Sequence, residues 1–380
     1  MVKRLAENHI ISKLFNGKAL VVTGARQVGK STLLRSIESQ KFGKSIWLDC
    51  DEPDSREKLT KVSSTQLKKL IGNNNLVFID EAQRVEDIGL TIKLIVDNIK
   101  DVQVVVSGSS ALELSGKLNE TLTGRKYEFH LFPLSALELV NDTTEIVESR
   151  MLENRLIYGF YPDVINHPQE EQIILKELVN SYLYKDILML REIRKPHLIP
   201  KLLQAIALQL GNEVSNHELA RMLEVDKETI ERYLDLFEKM FIVFRLPSFS
   251  RNLRVELNKS KKIYFYDLGV RNALISNYNA LSLRADTGAL WENYLILERM
   301  KSIAYNPSTP NCYFWRTHQQ QEIDYIEEID GCLNAYEFKW NMSKNAKLAK
   351  TFSNTYRNHT FTVVSKDNYF DFIRNETIPS

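Results

Sequence analysis

Cysteine, long apolar runs and a surplus of either charge are what this 380-residue chain lacks. Its three cysteines, Cys50, Cys312 and Cys332, stand far apart and in no metal-ligand spacing, so they are read as reduced and structural. No stretch approaches the roughly 20 apolar residues that span a bilayer, and no membrane contact is expected. The opening "MVKRLAENHIISKLF" carries charges but not the unbroken apolar core of a signal peptide, so the expected location is cytoplasmic. Fifty basic against 49 acidic residues leave a formal net charge of +1, which makes no global case for nucleic acid; a DNA-binding face has to be local. Internal repeats, low-complexity tracts and long linkers are absent too, so domain boundaries have to come from changes of pattern.

What is present starts with "GARQVGKST", residues 24 to 32, between the apolar run "ALVVT" and the helical pattern of Leu33, Leu34 and Ile37. A polyphosphate needs inward-facing N–H groups and positive charge. Gly24 and Gly29 permit the backbone angles that aim N–H groups inward, and a helix starting near Lys30 turns its positive dipole end to the same point. Lys30 then reaches the β- and γ-phosphates of ATP and the Ser31 hydroxyl ligates Mg2+, the G-x-x-x-x-G-K-[ST] arrangement. Gln27, Val28 and Thr32 complete the loop as nucleotide-binding candidates. The alternative is a chance glycine-rich turn.

An independent sign lies downstream in "NNLVFIDEAQ", where the continuous run Leu76 to Ile79 fits a parallel strand buried on both faces and ends in two carboxylates. Asp80 suits the outer coordination sphere of Mg2+, and Glu81 suits the base that orients or deprotonates the attacking water. "VQVVVSGSSALEL" ends another buried strand in small polar residues. Ser107, Ser109 and Ser110 are candidates to hold the γ-phosphate or its water; a helix cap is the ordinary alternative. With "KSIWLDC" and "RKYEFHLFP" there are five strand candidates separated by helical stretches, the pattern of an α/β, doubly wound parallel sheet with ligands at the strands' carboxyl ends. Arg125, just before the last strand, is a candidate finger for a neighbouring subunit's γ-phosphate, or a surface arginine.

Together "VVTGARQVGKSTLL", "LVFIDEAQ", "VVSGSSALEL" and "LTGRKYEFHLFPLS" resemble the prokaryotic AAA-type P-loop ATPases that carry a C-terminal domain of unknown function. The resemblance continues through "YGFYPDV", "YLYKDIL" and "YFYDLGVRNAL". It implies the fold and the ATP chemistry far more than the substrate.

The second half predicts further domains. "NHELARMLEVDKETIERYLDLFEKM" reads as a helix from about His217 to Leu223, a turn at Glu224 to Asp226, and a helix from Lys227 to Met240, with Ile230, Tyr233, Leu234 and Phe237 on the core face. A strand and a basic stretch follow, as in a winged helix. Arg251, Arg254, Lys259, Lys261 and Lys262 are candidate phosphate contacts, which position a protein on DNA by structure rather than by sequence. The second helix also exposes Glu228 and Glu231 beside Lys227 and Arg232, a mixed face that suits a major groove poorly; the alternative is a module that packs against the ATPase core or another subunit. The last segment resembles the PD-(D/E)xK restriction-endonuclease fold: Glu292, Asp324 and Glu337 with Lys339, the last two on one side of a strand and joined to Asp324 through the turn Asp330–Gly331. In that fold two acids bind Mg2+ and the lysine supports the attacking water.

The expected organisation is thus an ATPase core over 1–133, a helical lid or connector over 134–199, a winged helix-turn-helix over 200–278 and a nuclease-like α/β domain over 279–380. The expected function is an oligomeric ATPase acting on DNA. The alternatives are an ATP-dependent nuclease and a nucleotide-controlled switch with a protein partner.

Overall fold

Runs of β-branched residues, buried on both faces, build the first of two compact units. The computed structural model describes residues 2–108, 121–180, 195–250, 261–305, 309–317, 319–341 and 347–374. The units are Met1–Leu134 with Lys239–Phe241, and Ser135–Glu238 with Ile242–Ser380.

In the first unit, β1 (Ala19–Thr23), β2 (Ser45–Asp49), β3 (Leu76–Asp80), β4 (Gln103–Gly108) and β5 (Lys126–His130) form a parallel sheet in the order β2-β3-β4-β1-β5. These are the five strands that the alternation predicts. The three central strands, β3, β4 and β1, are buried at every position, whereas the edge strand β5 is only partly covered. Ala19, Val21, Val77, Ile79, Val104 and Val106 point to one face and pack with Leu59, Leu67, Ile71, Ile88, Ile92 and Ile95 from the connecting helices. Alternate residues, Leu20, Val22, Phe78 and Val105, are buried too. Two apolar faces explain why the run Leu76–Ile79 has no polar alternation.

The second unit opens with a capping box, Ser135 with Glu138, that starts the helix Ala136–Asp142. The helix Leu198–Leu208, β6 (Glu213–Val214), the helices Asn216–Leu223 and Lys227–Lys239, β7 (Val243–Pro247) and β8 (Lys261–Phe265) follow. The three strands make an antiparallel sheet in the order β6-β8-β7. Asp226 starts the longer helix by accepting a hydrogen bond from the Thr229 N–H at 2.6 Å. After the helix Thr287–Ile303 come β9 (Asn311–Arg316), β10 (Glu322–Ile329), β11 (Cys332–Phe338) and β12 (His359–Val364), in the order β12-β11-β10-β9 with only β11 and β12 parallel. Asp330 and Gly331 join β10 to β11 with φ of 49° and 77°, as the Asp-Gly pair predicts for a tight hairpin.

Apart from Leu134 and Lys239–Phe241, the segments 134–199, 200–278 and 279–380 fall within this single compact unit. One reason is a buried joint built from two sequence blocks. The helix Glu145–Tyr158 ends on Gly159, where φ is 75° and an added Cβ would come within 2.2 Å of the Asp267 carboxylate. Asp267 accepts hydrogen bonds from the Phe160 N–H at 2.7 Å and from the Val270 N–H at 2.9 Å, while the Asn272 amide donates to the Leu156 and Ile157 carbonyls. "YGFYPDV" and "YFYDLGVRNAL" are therefore two halves of one contact. The block "YLYKDIL" lies outside the described residues.

His130 ends β5 opposite Thr23 of β1. Burial, and then the charge of Lys30, pull its imidazole from 6.5 down to about 3. Between these values the unfolded chain takes up a proton and the native ring does not, so stability falls as pH drops through about 6.5. Urea unfolding of the wild type and His130→Phe at about pH 7 and pH 5 tests this: the wild type should lose about 2 kcal/mol more than the variant.

Candidate functional site

Parallel strands bring their carboxyl ends to one edge of the sheet, and β1, β4 and β3 are neighbours there. The loop leaving β1 passes under Leu131: a Cβ on Gly24 would lie 2.2 Å from the Leu131 carbonyl oxygen, so only glycine lets the chain through. Gly29 has room for a side chain but sits at φ 94°, a left-handed angle that places it as cap of the helix Lys30–Ser39. Gln27 is left-handed as well, at φ 62°. Val28 turns its side chain into the core, and Ser31 and Thr32 are exposed in the first turn of the helix.

Lys30 is buried, and its Nζ donates to the Gly24 and Ala25 carbonyls at 3.1 and 2.7 Å. Burial pulls this amine down to about 8, opposed by the Glu81 and Asp80 charges. Across the edge, Asp80 is buried at the end of β3. The Ser107 hydroxyl on β4 donates to Asp80 Oδ1, and the Glu81 N–H donates to Ser107 Oγ and Asp80 Oδ1, both at 3.2 Å. Glu81 itself stands at φ 51°, and its carboxylate accepts from the Gln83 amide. A fully buried Ser107 is thus bonded to the acid pair, while Ser109 and Ser110 lie outside the described residues.

Two contributors carry no sequence signal. Arg4, buried before the first strand, donates to the Val28 carbonyl at 2.7 Å and the Phe132 carbonyl at 2.6 Å, tying the loop to the exit of β5. Gln83 stands within the acid motif but earned no role from its spacing. Arg125 is elsewhere: its carbonyl accepts from the Ala19 N–H at the start of β1, and its side chain pairs with Asp97 at 2.7 Å. A five-residue strand separates it from the loop that follows β1, about 16 Å at 3.3 Å per residue.

The second unit gathers Glu292, Asp324, Glu337 and Lys339, and adds Lys262, Tyr264 and Glu322. Lys262, read above as a DNA contact, is 1% exposed. Its Nζ lies 2.7 Å from Glu292 Oε1 and 2.5 Å from Glu322 Oε1, so it cannot meet a DNA phosphate. Burial works against its charge, but these two carboxylates outweigh that and hold the amine above its usual range. Burial likewise pushes the Glu292 carboxyl up. Asp324 is pushed well up by burial, then by the Glu292 and Glu337 charges. Lys339 pairs with Glu337 at 2.6 Å. Among the described residues, no three His, Cys, Asp or Glu side chains form a group able to hold a metal ion. Lys261 is half-buried, and Arg251, Arg254 and Lys259 lie outside the described residues.

Comparison with known proteins agrees with the geometry of the first unit. Residues 16–140 match the AAA domain, 149–281 a domain of unknown function (DUF8612), and 287–379 another (DUF4143). An uncharacterized protein of Mycobacterium tuberculosis is 28% identical, over 89% of this chain and 74% of its own length. One from Methanocaldococcus jannaschii is 26% identical, over 83% and 73%. The Walker-type ATPase of Pyrococcus abyssi shares the fold with a TM-score of 0.52 at 17% identity, over 72% of this chain and 96% of that one. The first unit is therefore similar to the AAA domain and shares the fold of a Walker-type ATPase. Among the described residues, no helix is long and apolar enough to cross a membrane.

The two loop glycines differ in a testable way. Gly24→Ala forces β1 away from Leu131 and should cost about 1–3 kcal/mol, whereas Gly29→Ala meets only an unfavourable φ and should cost about 1 kcal/mol. Thermal unfolding of both variants gives the order.

Proposed function

We propose that this protein is a Mg2+-dependent ATPase that couples ATP binding and hydrolysis to the binding or remodelling of DNA, acting as a homo-oligomer. The observation that carries the hydrolytic part is the placement of Lys30, Asp80 and Glu81 at one edge of the sheet, around a loop capped by Gly29. The residues fit a nucleotide with its metal: the buried Lys30 amine already lies against loop carbonyls, and a polyphosphate offers it stronger acceptors. Ser31 and Asp80 would hold a magnesium ion, which when bound supplies positive charge to the β- and γ-phosphates. Loop N–H groups and the helix dipole bind the phosphates. Glu81 orients the attacking water and accepts its proton, while Ser107 and Gln83 fix the Glu81 backbone and carboxylate. Arg125, remote from its own loop and paired with Asp97 at the surface, is either a finger for a neighbouring copy's nucleotide, which the oligomeric reading requires, or a surface arginine.

The DNA part rests on the second unit. The element order helix, strand, two helices and two further strands, with the strands arranged β6-β8-β7, supports the reading of a winged helix. One observation favours the protein-partner reading instead. On the helix Lys227–Lys239 the acids Glu231, Asp235 and Glu238 all pair with Arg245, so this face carries a clamped acidic row rather than free cations.

Steady-state ATP hydrolysis with and without single-stranded, duplex and branched DNA separates the two. Stimulation by one form is the expected result; equal rates with every form would overturn the DNA reading in favour of a protein partner. Glu81→Gln should bind ATP normally and lose at least about 100-fold in kcat.

A further inference from the structure

The restriction-endonuclease resemblance of the last hundred residues implies a divalent metal held by its acids. The residues present do not fit one. A hard cation needs several oxygen ligands free to converge, and Mg2+ demands near-octahedral geometry while keeping much of its water. Here each acid already has a donor from its own chain. Glu292 Oε1 receives both the Lys262 ammonium at 2.7 Å and the Tyr264 hydroxyl at 2.5 Å. Glu322 takes the same ammonium at 2.5 Å, and its other oxygen faces Arg316 at 3.9 Å. Asp324 Oδ2 accepts the Phe338 N–H at 2.7 Å, and Glu337 Oε1 takes Lys339 at 2.6 Å.

We propose that Lys262 is the resident cation of this centre: its ammonium stands in for the divalent metal, and the cluster is an internal ionic joint rather than a phosphodiester-cleaving site. The chain positions of the partners agree. Lys262 lies on β8 of the three-stranded sheet, Glu292 on the helix Thr287–Ile303 and Glu322 on β10 of the four-stranded sheet. One buried ammonium therefore links both sheets and the helix between them. The junction is closed further by the Phe249 N–H donating to the Phe314 carbonyl at 2.6 Å and by Arg316 pairing with Glu213. The Phe314 ring, 5.4 Å from the Lys262 nitrogen, covers the ion pair. A charge this enclosed is tolerated only with its partners in place. The inference is independent of what the ATP is used for.

The test is a Mn2+ titration of the nucleotide-free full-length protein, followed by electron paramagnetic resonance. Wild type and Asp324→Asn should bind equal amounts of Mn2+. Lys262→Met should gain one Mn2+ per chain, lost again on adding Asp324→Asn. Its thermal midpoint should fall by roughly 10 °C and recover in part with Mn2+. A wild-type Mn2+ site that disappears in Asp324→Asn overturns the proposal, and so does a folded Lys262→Met that gains no Mn2+. If Lys262→Met does not fold, the comparison of wild type with Asp324→Asn decides by itself.

Discussion

A parallel sheet delivers every strand's carboxyl end to one edge, and the first unit depends on that constraint. Because β4 lies between β1 and β3, the loop after β1, Ser107 and the Asp80–Glu81 pair come to adjacent positions without any residue having to reach. The loop's shape follows from its surroundings. Leu131, just past β5, presses on Gly24, Arg4 holds the Val28 carbonyl, and the left-handed Gly29 turns the chain into a helix whose dipole faces the site.

The second unit is organised by buried charge. Asp267 ties two helix termini, Arg271 and Arg284 share Asp286, Arg299 pairs with Glu327, and Lys262 joins Glu292 to Glu322. Each of these groups would be costly to bury alone, so each fixes the position of its partner. Because Asp267 reaches back to Phe160 and Lys262 forward to Glu292 and Glu322, elements distant in sequence are held together in one unit.

Much of the fold was legible in the residues. The G-x-x-x-x-G-K-S pattern, the unbroken apolar strands and the Asp330–Gly331 turn each encode a local conformation through their own sterics or hydrophobicity. So does the apolar face of the helix Lys227–Lys239, with Ile230, Tyr233, Leu234 and Phe237 all buried. Lys262 was not legible. In sequence it is one of several lysines in a basic run, and only the register that pairs it with Glu213 and Leu246 turns it inward, toward two acids from later elements. Arg4 and Gln83 escaped notice for the same reason, since their partners are distant or set by a turn.

The sequence by itself determined a glycine-rich strand-to-helix loop, an acid pair ending a buried strand, and strands and helices with recognisable starts and stops, because these depend on neighbours within a few residues. Only the tertiary structure decided which charges are spent on one another. It set Lys262 among the C-terminal acids and left Arg125 at the far end of its own sheet. Pairing between distant residues depends on strand order and register, and no local pattern of side chains carries that information.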